Sequence, residues 1–276
     1  MKTIKVAING ANGRMGKAVQ EVLQNESMSD VNCCCFIRKN SYVCGDNLVF
    51  HYNNVDELVG GVDDCKTYKH HNPEMFNEIG ADIIIDFSSE EGIRTLLQNA
   101  NCKIVSGTTG LSAETFELMK KYGKEKNGII WGSNTSFGVN LMFAMVKKLG
   151  AVLHENEYDA EVYERHHRMK KDAPSGTALT IGKKIAEGRG VAFAKNDYSS
   201  FGERKTGEIG FAVERGGKTV GFHEARFISD DETIWFGHEA HDRSIFAKGA
   251  VKLAKIAVER DITGYKEAWE ILTDFI

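Results

Sequence analysis

The run Ile4-Lys5-Val6-Ala7-Ile8, followed at once by Asn9-Gly10-Ala11-Asn12-Gly13-Arg14-Met15-Gly16, narrows the fold of this chain more than any other feature. The short run rich in β-branched residues reads as a strand, and the residues beyond the glycines, through about Leu23, read as an amphipathic helix. Between them the glycines recur as G-x-x-G-x-x-G. In that context Gly10 can make the tight turn, Gly13 can let a pyrophosphate approach the backbone, and Gly16 can let the helix pack on the strand. Strand, glycine turn and helix in this order open a dinucleotide-binding domain.

The alternation continues. Val31 to Ile37 is a second strand, and Ala81 to Phe87 is a near-continuous apolar strand of the kind buried on both faces of a parallel sheet. A helix from about Gly92 to Asn99, a strand Cys102 to Ser106, a helix from Glu114 to about Tyr122 and a strand Gly128 to Gly132 follow. The turns Gly107-Thr108-Thr109-Gly110 and Ser133-Asn134-Thr135-Ser136 lie at the carboxyl ends of strands, where an open α/β sheet has its ligand crevice. The acid that usually binds the ribose 2′-hydroxyl after the second strand is missing. Ile37 stands there, followed by Arg38-Lys39, which suits a 2′-phosphate and favours NADPH, with NADH as the alternative.

The texture changes near Ser136. Phe137 begins a helix running through Lys148, and from Asp159 onward apolar residues alternate with period two: Ala160 and Val162, then Ile209, Phe211 and Val213, then Val220 and Phe222. The expected fold class is therefore α/β: an N-terminal Rossmann-like doubly wound parallel sheet plus a second α+β domain with a mixed, mostly antiparallel sheet. The dinucleotide-binding domain is placed at residues 1–136 and completed by C-terminal helices within 245–276, namely Phe246 to Glu259 and Gly264 to Leu272. Residues 137–244 form the second domain.

Of 276 residues, 42% are hydrophobic and 27% charged, the balance of an ordinary globular protein, and the net charge of −4 gives no global field to recruit nucleic acid or a membrane. An anion site must be built locally. The six cysteines (Cys33, Cys34, Cys35, Cys44, Cys65, Cys102) show no zinc-like pairs and suit a reducing compartment, and no apolar run has the length of a membrane span. A cytoplasmic location is expected.

Chemistry concentrates in Glu161-Val162-Tyr163-Glu164-Arg165-His166-His167-Arg168-Met169-Lys170-Lys171-Asp172-Ala173-Pro174-Ser175-Gly176-Thr177. Adjacent imidazoles and nearby lysines can move protons and carry positive charge, while Pro174, preset for the first turn of a helix, announces a helix whose N–H groups can hold a carboxylate or a phosphate. The substrate implied is a small anion that gains or loses a proton. Arg243 with His238 and His241 reads either as a second basic lining or as solvated strand ends. A metallohydrolase using His166, His167, His238 and His241 lacks any H-E-x-x-H or carboxylate spacing, so no metal is expected. A dinucleotide sensor without catalysis would need neither the imidazole pair nor the Ser-Gly-Thr turn.

These segments, together with Gly207-Glu208-Ile209-Gly210-Phe211 and Arg215-Gly216-Gly217 through His223, resemble the 4-hydroxytetrahydrodipicolinate (dihydrodipicolinate) reductase family over nearly the whole chain. The resemblance implies reduction of a cyclic imine dicarboxylate by hydride from a nicotinamide, with loss of water, on the diaminopimelate route to lysine. It implies that His166 is the general acid/base and Lys170 a second proton donor. His167, Ser175, Gly176 and Thr177 are implied around the substrate carboxylates. Gly10, Ala11, Asn12, Gly13, Arg14, Met15, Gly107, Thr108, Thr109, Gly132, Ser133, Asn134 and Thr135 are implied as the cofactor loops, with Arg38 near the adenosine 2′-phosphate. It also implies a homotetramer built through the second domain's sheet.

Overall fold

The computed structural model describes residues 4–24, 31–37, 41–44, 66–69, 80–193 and 204–273. Along the first half run β1 (Ile4–Asn9), α1 (Arg14–Leu23), β2 (Val31–Ile37), β3 (Ser41–Cys44), β4 (Lys66–Lys69), β5 (Ile83–Asp86), α2 (Glu90–Asn99), β6 (Lys103–Ser106), α3 (Ala113–Glu125) and β7 (Ile129–Trp131). The second half adds α4 (Phe137–Val152), β8 (Asp159–His166), α5 (Gly176–Arg189), β9 (Ile209–Arg215), β10 (Gly221–Ile228), β11 (Thr233–Ala240), α6 (Ser244–Glu259), β12 (Tyr265–Glu267) and α7 (Glu270–Thr273). Two compact units result, one of residues up to Ser136 with Phe246–Ala268, the other of Phe137–Ile245 with the chain from Trp269.

The first unit is built on one sheet in the order β12-β7-β6-β5-β1-β2-β3-β4. From β12 to β2 every pairing is parallel, and β3 and β4 extend the edge as antiparallel strands. The central strands are apolar on both faces, as a parallel sheet covered by helices requires. On one face Ala7, Ile84, Ile104 and Ile129 pack with Ile93, Leu96 and Leu97 of α2 and with Met119 and Tyr122 of α3. Each such buried isoleucine contributes about 1.5–3 kcal/mol relative to exposure. Both helices are capped by serine. Ser89 Oγ accepts from the Gly92 amide and Ser112 Oγ from the Thr115 amide. The cap at Ser89 starts α2 at Glu90, two residues before the sequence placed it, and puts Glu90 and Glu91 in the favourable first turn.

The C-terminal return differs from the sequence expectation. Residues 264–272 were read as one helix, but Tyr265–Glu267 is a strand parallel to β7, held by Ile129 N–H donating to Gly264 O at 2.9 Å and Ala268 N–H to Trp131 O at 2.8 Å. An open sheet edge offers more backbone partners there than a three-turn helix could find. Gly264, at φ +75°, makes the reversal into it. Only the short α7 remains helical. Trp269 groups with the second unit, its ring beneath the Lys147 and Lys184 ammonium groups at 4.9 and 4.3 Å, so the return to the first unit ends at Ala268.

The second unit is a four-stranded sheet, β11-β10-β8-β9, antiparallel except for the β8–β9 pair. Ala160, Val162, Ala225 and Phe227 point to the face covered by α4 and α5, where they meet Val139, Met142, Phe143, Val146, Ile181 and Ile185. The two helices cross closely because glycines line the contact. A Cβ at Gly188 would stand 2.1 Å from Lys147 O, and one at Gly150 2.6 Å from Ile185 O. No helix among the described residues is long and apolar enough to cross a membrane.

Candidate active site

In the first unit the sheet order reverses between β1 and β5, the switch point at which α/β sheets bind nucleotides. The glycine turn sits on this point. Gly10 adopts φ +79° with its Cα against Phe87, where a Cβ would lie 2.5 Å from Phe87 O; a Cβ at Gly16 would lie 2.3 Å from Gly10 O. Any side chain at either position would push the turn off the sheet. Gly13 is the N-cap of α1 and provides no side-chain cap, and Asn12, Gly13 and Arg14 are exposed while Ala11 is buried. An uncapped helix start behind exposed glycine backbone fits a pyrophosphate.

Asp86, at the end of β5, organises the loops around that turn. Its carboxylate is fully buried and accepts from Asn9 Nδ2 at 2.8 Å, Ser88 Oγ at 2.5 Å, Ser106 Oγ at 2.7 Å and Thr108 Oγ1 at 2.7 Å. Burial pushes this carboxyl up, and the four hydrogen bonds oppose that push. Three loops separated by tens of residues are thereby tied to one atom pair. Thr108 is committed inside this network: the Ser88 amide donates to its hydroxyl at 3.0 Å, its own amide donates to Ser106 Oγ at 3.3 Å and its carbonyl accepts from Trp131 Nε1 at 3.0 Å, whereas Thr109 is exposed. Gly107 is needed for the close approach, since its Cβ would strike the Phe87 ring. In the loop after β7, Asn134 Oδ1 accepts from the Ser136 amide, and buried Thr135 donates to Phe246 O, closing the turn from within; Gly132 is buried and Ser133 half-buried. Met15 is half-buried. Arg38 and Lys39 lie outside the described residues.

In the second unit a different carboxylate is central. Alternation along β8 turns Glu164 and His166 to the same inner face, and antiparallel register places His223 of β10 directly across from Glu164. Glu164 Oε1 accepts from the Ser175 amide at 2.9 Å and from Arg215 Nη2 at 2.7 Å. Its other oxygen, Oε2, lies 3.3 Å from His166 Nδ1 and 3.6 Å from His223 Nε2. Ser175 Oγ stands 3.2 Å from His223 Nε2, and the two imidazoles meet edge to face at 4.9 Å. Glu164, His166, Ser175 and His223 are all buried. Burial alone would raise the Glu164 carboxyl, but the donors His166, His223, Ser175 and Arg215 hold it far below the usual carboxylate range, so it is ionised at any working pH. His223 is pushed down by burial and stays neutral.

Around this core lie the remaining residues singled out by the sequence. Ser175 caps α5, its Oγ accepting from the Ala178 amide, and Gly176 is exposed with nothing within 4 Å of a Cβ built there. Pro174 therefore precedes the cap instead of occupying the first turn. Thr177 is half-buried. Lys170 pairs with Asp172 at 2.9 Å, while Lys171 is exposed. His167 is pushed down by desolvation and by the charge of Arg243, which places Arg243 within electrostatic reach of the block. His238 is half-buried opposite His223, and His241 is exposed.

The four-histidine grouping weighed for a metal does not form. Among the described residues the one cluster with metal-ligand spacing is Glu164, His166 and His223, whose donor atoms lie within 4.8 Å of one another. Sequence reading missed Asp86, Glu164, Arg215 and His223 as site residues. Only Glu164 had a local signal, its two-residue offset from His166.

A doubly wound sheet with its glycine turn at the switch point, joined in one chain to a buried imidazole–carboxylate cluster, defines a nicotinamide-dependent oxidoreductase. Residues 4–135 match the sequence profile of "Dihydrodipicolinate reductase, N-terminus" and residues 138–270 that of "Dihydrodipicolinate reductase, C-terminus". A 4-hydroxy-tetrahydrodipicolinate reductase of Wolbachia sp. subsp. Brugia malayi (strain TRS) is 38% identical over 259 residues, covering 91% of this chain and 92% of its own. One from Zymomonas mobilis is 36% identical over 261 residues, covering 91% of each. In fold the chain is similar to a dipicolinate-bound dihydrodipicolinate reductase from Paenisporosarcina sp. TG-14, with TM-score 0.67, 23% identity and coverage of 99% and 100%. The chain belongs to the dihydrodipicolinate reductase family.

Replacing Asp86 by alanine should cost about 2–4 kcal/mol of stability, because Asn9, Ser106 and Thr108 would keep buried polar atoms with no acceptor. Asp86→Asn, which keeps the shape and one acceptor, should lose less. Urea unfolding of both variants checks this; an unchanged midpoint for the alanine variant would show that the loop hydroxyls pair elsewhere.

Proposed function

We propose that His166 is the general acid and Lys170 the second proton donor in the reaction this chain catalyses as a member of its family. That reaction is the NAD(P)H-dependent reduction of 4-hydroxy-tetrahydrodipicolinate to tetrahydrodipicolinate with loss of water, in the diaminopimelate route to lysine. The observation that carries the assignment is the placement of His166. It is buried at the end of β8, backed by an ionised carboxylate, beside a helix start that is open at Gly176.

The bound nicotinamide supplies hydride. Loss of water from the hydroxy-imine leaves a conjugated imine; hydride added at its far carbon would give an electron-rich enamine, and an acid held in place lowers the barrier to the carbon protonation that restores the imine. Lys170 is held by Asp172 at 2.9 Å, which orients its ammonium. His167, Ser175, Gly176 and Thr177 are proposed to receive the substrate carboxylates. Support for this comes from the α5 N-terminus, whose Gly176 leaves room for an anion to approach the backbone. The loops Gly10–Met15, 107–109 and 132–135 are proposed to hold the dinucleotide, with the exposed backbone of Asn12, Gly13 and Thr109 in support, while Thr108 and Thr135 brace the loops from within. NADPH is the proposed preference, on the basic pair Arg38-Lys39 and the absent acid.

A homotetramer through the sheet of the second unit is also proposed. The face of that sheet turned away from α4 and α5 carries Tyr163, Phe222 and Trp235, with Arg165 and Arg226 over the first two rings. Trp235, 65% exposed, extends the rings of Tyr163 and Phe222 into an aromatic patch of the kind that marks interaction surfaces. A cytoplasmic location belongs to the same proposal, on the cysteine spacing of the sequence.

A steady-state assay of NADPH oxidation with the cyclic hydroxy-imine dicarboxylate tests the roles. His166→Ala and Lys170→Ala should each lower kcat at least about 100-fold, the range for a lost positioned acid. A change confined to KM would make them binding residues.

In the same assay, replacing both Arg38 and Lys39 by alanine should weaken NADPH by about 1.5–3 kcal/mol and NADH much less. Equal losses for both cofactors would remove the basis for an NADPH preference.

Light scattering should give four times the chain mass, and Trp235→Asp should reduce it. A monomeric wild type would overturn the assembly.

A further inference from the structure

We infer that Glu164 is a positioning residue for catalysis, fixing on which nitrogen His166 carries its proton. This rests on the proposed role of His166 as the acid.

Four donors converge on the Glu164 carboxylate, and they divide between its oxygens. Oε1 takes the Ser175 amide and Arg215, both of which can only donate. Oε2 is left to face His166 Nδ1 and His223 Nε2 alone. An ionised carboxylate has no hydrogen to give, so a ring nitrogen that closes a hydrogen bond to it must carry one. His166 is thereby held with a proton on Nδ1, so the proton it gives to substrate is a second one, taken up from solvent and donated at Nε2, after which the ring is left neutral with Nδ1–H still facing the carboxylate. Gly221 keeps that side of the ring clear, since a Cβ there would come within 3.2 Å of Nε2. The 3.3 Å contact is imperfectly aligned as a hydrogen bond and leaves room to tighten when substrate settles the ring.

His223 supports the same arrangement. It is buried, which pushes its imidazole toward the neutral form, and its Nδ1 has no partner among the described residues. A bare acceptor costs less in the interior than a bare N–H, so the proton sits on Nε2, directed to Glu164 and Ser175 Oγ. The ring then braces His166 edge-on at 4.9 Å.

The charge of Glu164 is balanced by Arg215 at 2.7 Å. Its influence on His166 is therefore chiefly directional, a choice of tautomer and ring angle, in place of a net field.

Glu164→Gln tests the idea with almost no change of shape. The amide oxygen can still accept from Ser175 and Arg215, but its NH2 now faces Nδ1 and leaves the ring a single proton on Nε2, whose donation would leave an imidazolate instead of a neutral ring and so makes it a far weaker acid. Turnover should fall at least about 100-fold, with KM for substrate and cofactor within about threefold and the unfolding midpoint little moved. The decisive measurement is a cycle with His166→Ala. If Glu164 acts through His166, the double variant should turn over no more slowly than His166→Ala alone. Multiplying losses would overturn the inference, as would a Glu164→Gln enzyme with kcat within about threefold of wild type. Should Glu164→Gln not fold, Glu164→Asp, which displaces the acceptor by one methylene, takes its place in the same cycle. Failure of the wild type to oxidise either cofactor would instead strike the proposed reaction, so the two failures read differently.

Discussion

A carboxylate taken out of water must be repaid by donors, and both units of this protein are arranged around one such debt. Asp86 collects Asn9, Ser88, Ser106 and Thr108; Glu164 collects Ser175, Arg215, His166 and His223. In each case the donors arrive from separate segments, so satisfying the acid fixes where those segments stand relative to one another. Removing one partner from a buried ionised group typically costs about 3–5 kcal/mol, more than a surface contact can offset. The two acids differ in what they leave. Burial raises Asp86 against neutral donors, whereas Arg215 and the strong donors around Glu164 keep it ionised. The first suits a scaffold under loops, and the second suits a fixed acceptor beside an imidazole.

The legible part of the fold was the part that is local in sequence. The G-x-x-G-x-x-G turn announced strand and helix because each glycine answers a steric demand a few residues away, and the structure shows those demands at Gly10 and Gly16. Apolar runs such as 83–86 and 104–105 marked a doubly covered parallel sheet, which is present. What failed was the end of the chain. The segment 264–268 has no strong period of its own, and it became a strand because β7 left an edge unpaired. Local propensity carries no record of a vacant edge elsewhere.

The site divides in the same way. His166, Lys170 and Ser175 sit within one short block, and their proximity could be read directly. His223 and Arg215 come from strands roughly fifty residues away and reach Glu164 only through the register of β8 with β9 and β10. A one-residue slip in either pairing would turn them to the opposite face. Asp86 was hidden for a related reason. It ends an apolar strand, where an acid reads as the start of a loop, and only the fold brings three hydroxyls and an amide to it.

Charge bookkeeping around α5 bears on how an anion would be recognised there. Lys170 is matched by Asp172 and Arg215 by Glu164, so much of the positive charge in the block is already balanced, in a chain whose net charge is −4. Long-range attraction is then weak, and it is screened over about 8 Å at physiological salt. Selectivity in the proposed role must come from direction: the helix start at Gly176, capped by Ser175, and an imidazole whose free nitrogen is set from behind. Such a site discriminates by where its donors point more than by how much charge it holds. A dicarboxylate that cannot align both carboxylates with those donors gains little from its charge alone.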